Sequence, residues 1–129
     1  MYGEDLSYGL IGSINNFIRL STPLSIFTNL EIIRDHINSR DVLYGIENLA
    51  KVDFQESALN LSTGVGTTIF EVLSVLDKLG YDLNDKVMQE LPQDTKLNSI
   101  LDCAKLHKLI NWHPISVHDG IGKLMGVNS

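Results

Sequence analysis

The chain has 129 residues, 43% hydrophobic and 20% charged, which supplies enough apolar material for one core and fits a single domain over residues 1–129. A net charge of −6 and a pI near 5.0, with ten Lys and Arg residues scattered along the chain, exclude a general nucleic-acid surface, which needs a dense positive field to release phosphate counterions. No stretch approaches the roughly 18–20 uncharged apolar residues of a membrane span, and Met1–Gly9 lacks the basic-then-apolar pattern of a secretory signal, so a cytoplasmic chain with no membrane partner is expected. Cys103 is the sole cysteine. It excludes an internal disulfide and a thiolate cluster within one copy, and reads as a buried structural thiol.

Leu10, Ile11, Ile14, Phe17 and Ile18 fall on one helical stripe, which Thr22-Pro23 is expected to close because the residue before proline is pushed out of the helical region. Leu24 to Phe27 and Glu31 to Ile37 read as short strands around a Thr28-Asn29 turn. A second helix carries Val42, Leu43, Ile46, Leu49 and Ala50 on its apolar stripe. Next come Ser57 to Leu61 as a strand, Ser62 to Gly66 as a turn, and a helix with Ile69, Val72, Leu73, Leu76 and Leu79 on one face. Thr68 and Glu71 stand at capping-box spacing at its start, and Gly80 marks its end. Asp85 to Leu91 and Leu97 to Leu101 are strand candidates on either side of Pro92-Gln93-Asp94. Asp102 is expected to cap a short helix carrying Leu106, Leu109 and Ile110. A last helix starts at Ser116, with Asp119 in the capping position, and buries Val117, Ile121, Leu124 and Met125. The alternation predicts one small α/β domain of mixed helices and short strands, without repeats or linkers.

Gly64-Val65-Gly66 before a helix is how dinucleotide folds present amides to a pyrophosphate. The third glycine of that fingerprint would fall at Ile69, which blocks close approach of helix to strand, and no ribose-binding acid follows at about 20 residues. The turn therefore reads as a tight structural connection. His107, His113 and His118 lie within twelve residues and in principle could hold zinc. No pair has the one-turn spacing of a helical metal motif, so they read as surface histidines and no metal is expected. Arg34 is open to two readings, a solvated strand charge or a phosphate ligand, since a planar guanidinium donates paired hydrogen bonds to phosphate oxygens. No catalytic arrangement is assigned in this chain.

Three segments in order, IIRDHINSRDVLYGI, LNLSTGVGTTIFEVL and ILDCAKLHKLINWHPISVHDGI, resemble the C-terminal half of the NAD-dependent epimerase/dehydratase family, the extended short-chain dehydrogenases that remodel nucleotide-activated sugars. The resemblance implies a fold like the substrate domain of those enzymes. It assigns Arg34 of Arg34-Asp35-His36-Ile37 to the substrate diphosphate, with His36 replacing the usual Phe or Tyr. Ser25, Ile26 and Phe27 correspond to the strand that holds the nucleotide base, although Thr28-Asn29-Leu30 replaces the usual Gly-Asp-Gly. Asp94 falls in the acidic turn of a segment that reaches the other side of the diphosphate, and Glu90-Leu91-Pro92-Gln93 stands where basic residues are usual. Met1-Tyr2-Gly3 is similar to the segment that closes the catalytic half.

A glycine-rich NAD-binding turn and a Tyr-x-x-x-Lys pair, which such enzymes need, do not occur here. The resemblance therefore implies a nucleotide-diphosphate-sugar binding half that is not catalytic by itself, with NAD expected only on a separate Rossmann-type half. The alternative is a non-catalytic remnant serving as a binding or assembly module. In either case, apolar side chains of the first helix and the 57–61 strand are expected to face water and to drive a homo-oligomer or exchanged-segment dimer.

Overall fold

Five helices and two two-stranded sheets form among the described residues, 1–22, 24–26, 30–83, 87–89 and 98–126 of a computed structural model. In chain order they are α1 (Gly9–Leu20), β1 (Leu24–Ile26), β2 (Ile33–Asp35), α2 (Ser39–Leu49), β3 (Gly66–Thr68), α3 (Ile69–Lys78), β4 (Val87–Gln89), α4 (Ala104–Leu109) and α5 (Val117–Leu124). This is the expected α/β class.

β1 pairs in parallel with β4, placing Leu24 opposite Val87 and Ile26 opposite Gln89. β2 pairs antiparallel with β3, with Arg34 opposite Thr67 and Asp35 opposite Gly66. The other edge of β2 is also occupied, because Arg34 forms a parallel bridge with Ser99. There Asp35 N donates to the Ser99 carbonyl and Ser99 N to the Ile33 carbonyl, both at 3.0 Å. Of the strand expected over 97–101, Ser99 forms one bridge and Leu97 lies outside the described residues, and β2 contracts to three residues held on both sides.

α3 forms as its sequence predicts. The Thr68 hydroxyl accepts from Glu71 N at 3.1 Å, and the Glu71 carboxylate accepts from Thr68 N at 2.7 Å, so two of the helix's orphan donors are satisfied reciprocally. Gly80, at φ 87°, takes the left-handed conformation just past the helix end. One apolar cluster joins Tyr2, Ile11 and Ile14 of α1, Leu24, Val72 and Leu76 of α3, and Ile121 of α5. A second gathers Ile37, Cys103, Leu106, Ile110 and Trp112, with Val42, Leu49, Leu59 and Leu61 packed on it. Cys103 is the buried thiol expected of it, and burial, its main influence, pushes its pKa up.

Several expectations are corrected. Residues 57–61 are not a strand. Both edges of β2 are filled by β3 and Ser99, while Leu59 and Leu61 pack on the second cluster and the Asn60 side chain donates to the Asp102 carbonyl at 2.9 Å. On α2 the periodic residues Leu43 and Ile46 are 60% and 53% exposed, and Ala50 is exposed as well. The helix instead turns Asp41 and Gly45 inward. A Cβ on Gly45 would lie 2.9 Å from Leu61 Cδ1 and 3.4 Å from Trp112 Cε2, so the missing side chain is what admits those neighbours. α1 ends at Ser21, which is left-handed at φ 53°. Its apolar face is buried, not facing water, because Ile11 and Ile14 join the first cluster. α4 has Cys103 at its cap position, with the Asp102 carboxylate accepting from Ala104 N at 2.9 Å.

Candidate functional site

Arg34 stands at the middle of β2, half-buried, with backbone partners on both edges. Its Nη1 donates at 3.2 Å to the Ile33 carbonyl, which also accepts from Ser99 N. One arm of the guanidinium fork is thereby tied to the backbone of its own strand, which restricts where the cation can sit.

Asp35 follows, and its carboxylate closes the turn between residues 62 and 65. It accepts from Thr63 N at 3.1 Å, from Gly64 N at 2.9 Å and from the Thr63 hydroxyl, with Leu101 N more distant at 3.4 Å. Burial alone would raise the Asp35 pKa. The hydrogen bonds from the Thr63 and Ser62 side chains and from the Gly64 and Thr63 amides outweigh it and hold the carboxyl below its ordinary value. Gly64 reaches this geometry at φ 72°, a conformation that costs a glycine nothing. The first amide of the Gly-x-Gly segment, Gly64 N, does point at an anion together with Thr63 N before it, and that anion is the chain's own Asp35, while Val65 N donates to the Thr63 hydroxyl at 3.1 Å. Sequence reasoning missed this role; an acid on one strand opposite a Ser-Thr-Gly turn was the available signal.

The same turn borders a cleft of about 500 Å³ whose wall includes Thr63, Thr67, Glu71 and all four histidines of the chain, His36, His107, His113 and His118. His36 is half-buried, and its Nε2 is buried without a hydrogen-bond partner among the described residues. Burial pulls its pKa below the ordinary value; the Arg34 charge adds to that and Asp35 opposes it. Among the described residues no three His, Cys, Asp or Glu side chains are grouped to hold a metal ion. Asp41, 9% exposed, holds the turn that contributes His113, Pro114 and Ile115 to the cleft wall. Its carbonyl accepts from Trp112 Nε1 at 3.1 Å, and its carboxylate accepts from Ile115 N at 3.0 Å. The Trp112-His113-Pro114 turn is thus fastened to the first turn of α2.

Of the residues singled out by sequence, Arg34 lies in the β2–β3 sheet and Ser25 and Ile26 lie in β1 of the other sheet. Phe27 and Asp94 lie outside the described residues. No helix among the described residues is long and apolar enough to cross a membrane.

Neither a protein-family model nor a curated protein matches the chain. Solved structures do match it. UDP-glucose 4-epimerase of Thermotoga maritima, solved with UDP-glucose, superposes with a TM-score of 0.75 and 24% identity over 93% of this chain and 40% of that one. MoeE5, in complex with UDP-glucuronic acid and NAD, gives 0.78 and 18% over 99% of this chain and 45% of its own. WbmG of Bordetella bronchiseptica, in complex with NAD and UDP, gives 0.68 and 25% over 94% and 39%. The chain spans less than half the length of each of these. Over nearly all of its own length, the chain has the fold of one part of the NAD-dependent nucleotide-sugar epimerases and dehydratases, the family that its motifs resemble.

Proposed function

We propose that the chain is the nucleotide-diphosphate-sugar binding part, corresponding to the C-terminal half, of an NAD-dependent sugar epimerase or dehydratase, and that it does not transfer hydride by itself. The observation that carries this reading is Arg34: a half-buried cation held on the centre strand of the β2–β3–Ser99 ladder, in a fold shared with an epimerase solved with UDP-glucose. A guanidinium in that position donates paired, charge-assisted hydrogen bonds to a diphosphate and stays charged at every physiological pH. The backbone of Ser25 and Ile26 in β1, with Phe27 and Asp94, supplies the remaining contacts to the nucleotide sugar in this proposal. NAD belongs to a separate Rossmann-type half that also supplies the proton-transferring Tyr and Lys.

The test is calorimetric titration of the chain with UDP-, GDP-, dTDP- and CDP-sugars, with NAD as control. Saturable binding of one nucleotide class and no binding of NAD are expected. Binding of NAD in place of the sugars would overturn the assignment.

A second reading, a binding or assembly module that kept the fold, is favoured by the exposed Leu43, Tyr44 and Ile46 on α2, since contiguous exposed apolar surface marks association sites. In this reading the chain forms a homo-oligomer. Light scattering of the wild type and of Leu43→Asp/Ile46→Lys separates the two, because only an assembly through this face dissociates in the variant.

A further inference from the structure

Opposite the buried Asp41 and Gly45, α2 turns Arg40, Leu43, Tyr44 and Glu47 to solvent, a spacing of i, i+3, i+4 and i+7 that puts all four on one side of the helix. Leu43 and Tyr44 are 60% and 56% exposed and the Arg40 side chain 69%. Along the helix axis this stripe is positive, apolar, apolar and negative, and its spacing is the same from either end. A two-fold axis between Leu43 and Tyr44 therefore brings the stripe onto its own complement, which is the requirement of an isologous contact. We infer that a second copy of this chain covers this face, the two α2 helices lying antiparallel with Arg40 of each against the partner's Glu47 and the apolar pair against its counterpart. The inference rests on the assembly reading given above, and adds which helix pairs, in which direction and in what register.

The charges set the direction. A parallel pair would place Arg40 on Arg40 and Glu47 on Glu47, whereas the antiparallel pair matches opposite signs at both ends and also opposes the two helix dipoles. The neighbouring charges leave this pattern in place. Glu4, which meets Arg40 Nη2 at 3.1 Å, and Lys123 border the stripe at its N-terminal end; Lys51 and Asp53 lie past its C-terminal end. Each couple sums to zero, so Arg40 and Glu47 give the two ends their signs. Ile46, 53% exposed, extends the apolar centre to one side. The face is held outward by the other side of the helix, where Asp41 is bonded to Trp112 and Ile115 and Gly45 lies against Leu61 and Trp112. A contact of about two helical turns belongs to the small, weak class of interfaces, so the dimer forms as concentration rises.

Charge reversal tests the pairing by sedimentation equilibrium over a concentration series. The mass of the wild type is expected to rise from 14.4 kDa toward twice that value. Arg40→Glu and Glu47→Arg, both at exposed positions, bring like charges together and each weaken self-association at least about tenfold. Mixed in equal amounts, the two single variants associate with one another, and Arg40→Glu/Glu47→Arg self-associates as the wild type does. These two regained dimers make the result independent of any loss of fold in a single variant. A wild-type dimer that survives either single reversal but dissociates in Leu43→Asp/Ile46→Lys overturns the antiparallel pairing and leaves the assembly reading standing. Association lost in both reversals and regained in neither the mixture nor the double variant also overturns the pairing. A wild type that stays monomeric at every concentration overturns the pairing and the assembly reading together.

Discussion

Asp35→Asn is expected to loosen the turn at residues 62–65 by an amount that follows from its hydrogen bonds. The carboxylate accepts from Thr63 N at 3.1 Å, from Gly64 N at 2.9 Å and from the Thr63 hydroxyl. Asparagine keeps one acceptor oxygen and presents an NH₂ to a donor, so one bond is lost and the others lose their ionic character. Hydrogen bonds to charged groups contribute about 1.5–3 kcal/mol each and neutral ones about 1 kcal/mol. Water reaches this half-buried site and offsets part of the loss, which leaves a destabilisation of about 2 kcal/mol at pH 7. The Asp35 pKa is lower in the folded chain than in the unfolded one. Its contribution is therefore complete above the unfolded value of about 4 and is lost as pH falls through the folded value. Urea unfolding at pH 7 and in the acid range below pH 4 should show the gap between wild type and variant narrowing in acid. A gap under about 0.5 kcal/mol at pH 7, the scatter of ordinary surface changes, would refute the anchoring role.

Gly120→Ala places a Cβ on the Tyr2 hydroxyl and ring, and overpacking of this kind costs about 1–3 kcal/mol. Tyr2→Phe removes a hydroxyl buried without a partner among the described residues and should recover part of that loss, read as the thermal midpoints of both single variants and the double. Thr68→Ala removes the α3 cap, lowers stability by about 1 kcal/mol and speeds amide exchange in the first turn. The His36 pKa is lower in the folded chain, so the stability it contributes is present above the unfolded value of about 6.5 and falls away as pH drops through the folded one. His36→Phe should therefore hold its urea midpoint between pH 7.5 and 5.5 better than the wild type does.

α3 was legible in the sequence because its information is local: the capping residues, the apolar period and the terminal glycine all lie within thirteen residues, 68–80. α2 shows the limit of periodicity. Its rotation is set by contacts far along the chain, Asp41 to Trp112 and Ile115, and Gly45 beneath Leu61 and Trp112, and these turn Leu43 and Ile46 outward. At 57–61 Leu59 and Leu61 alternate with Asn60 as in a strand, yet β2 was already paired on both edges. Strand propensity measures fit to a half-buried surface and does not reserve a place in a ladder. At the candidate site, the sequence singled out Arg34 through the family resemblance and treated the Gly-x-Gly turn as structural. Asp35 supplies a physical account of that turn that no linear spacing showed. The convergence of four histidines was equally out of reach, since His36 enters from a different part of the chain than the three clustered near its end.

The most direct test of the proposed function is the calorimetric affinity of the wild type and Arg34→Ala for whichever nucleotide sugar binds. A charge-assisted contact worth about 1.5–3 kcal/mol predicts that the variant binds about 10- to 150-fold more weakly. Equal affinity in the two proteins would contradict the role given to Arg34, and binding of NAD in place of every nucleotide sugar would contradict the reading of this chain as a nucleotide-sugar half.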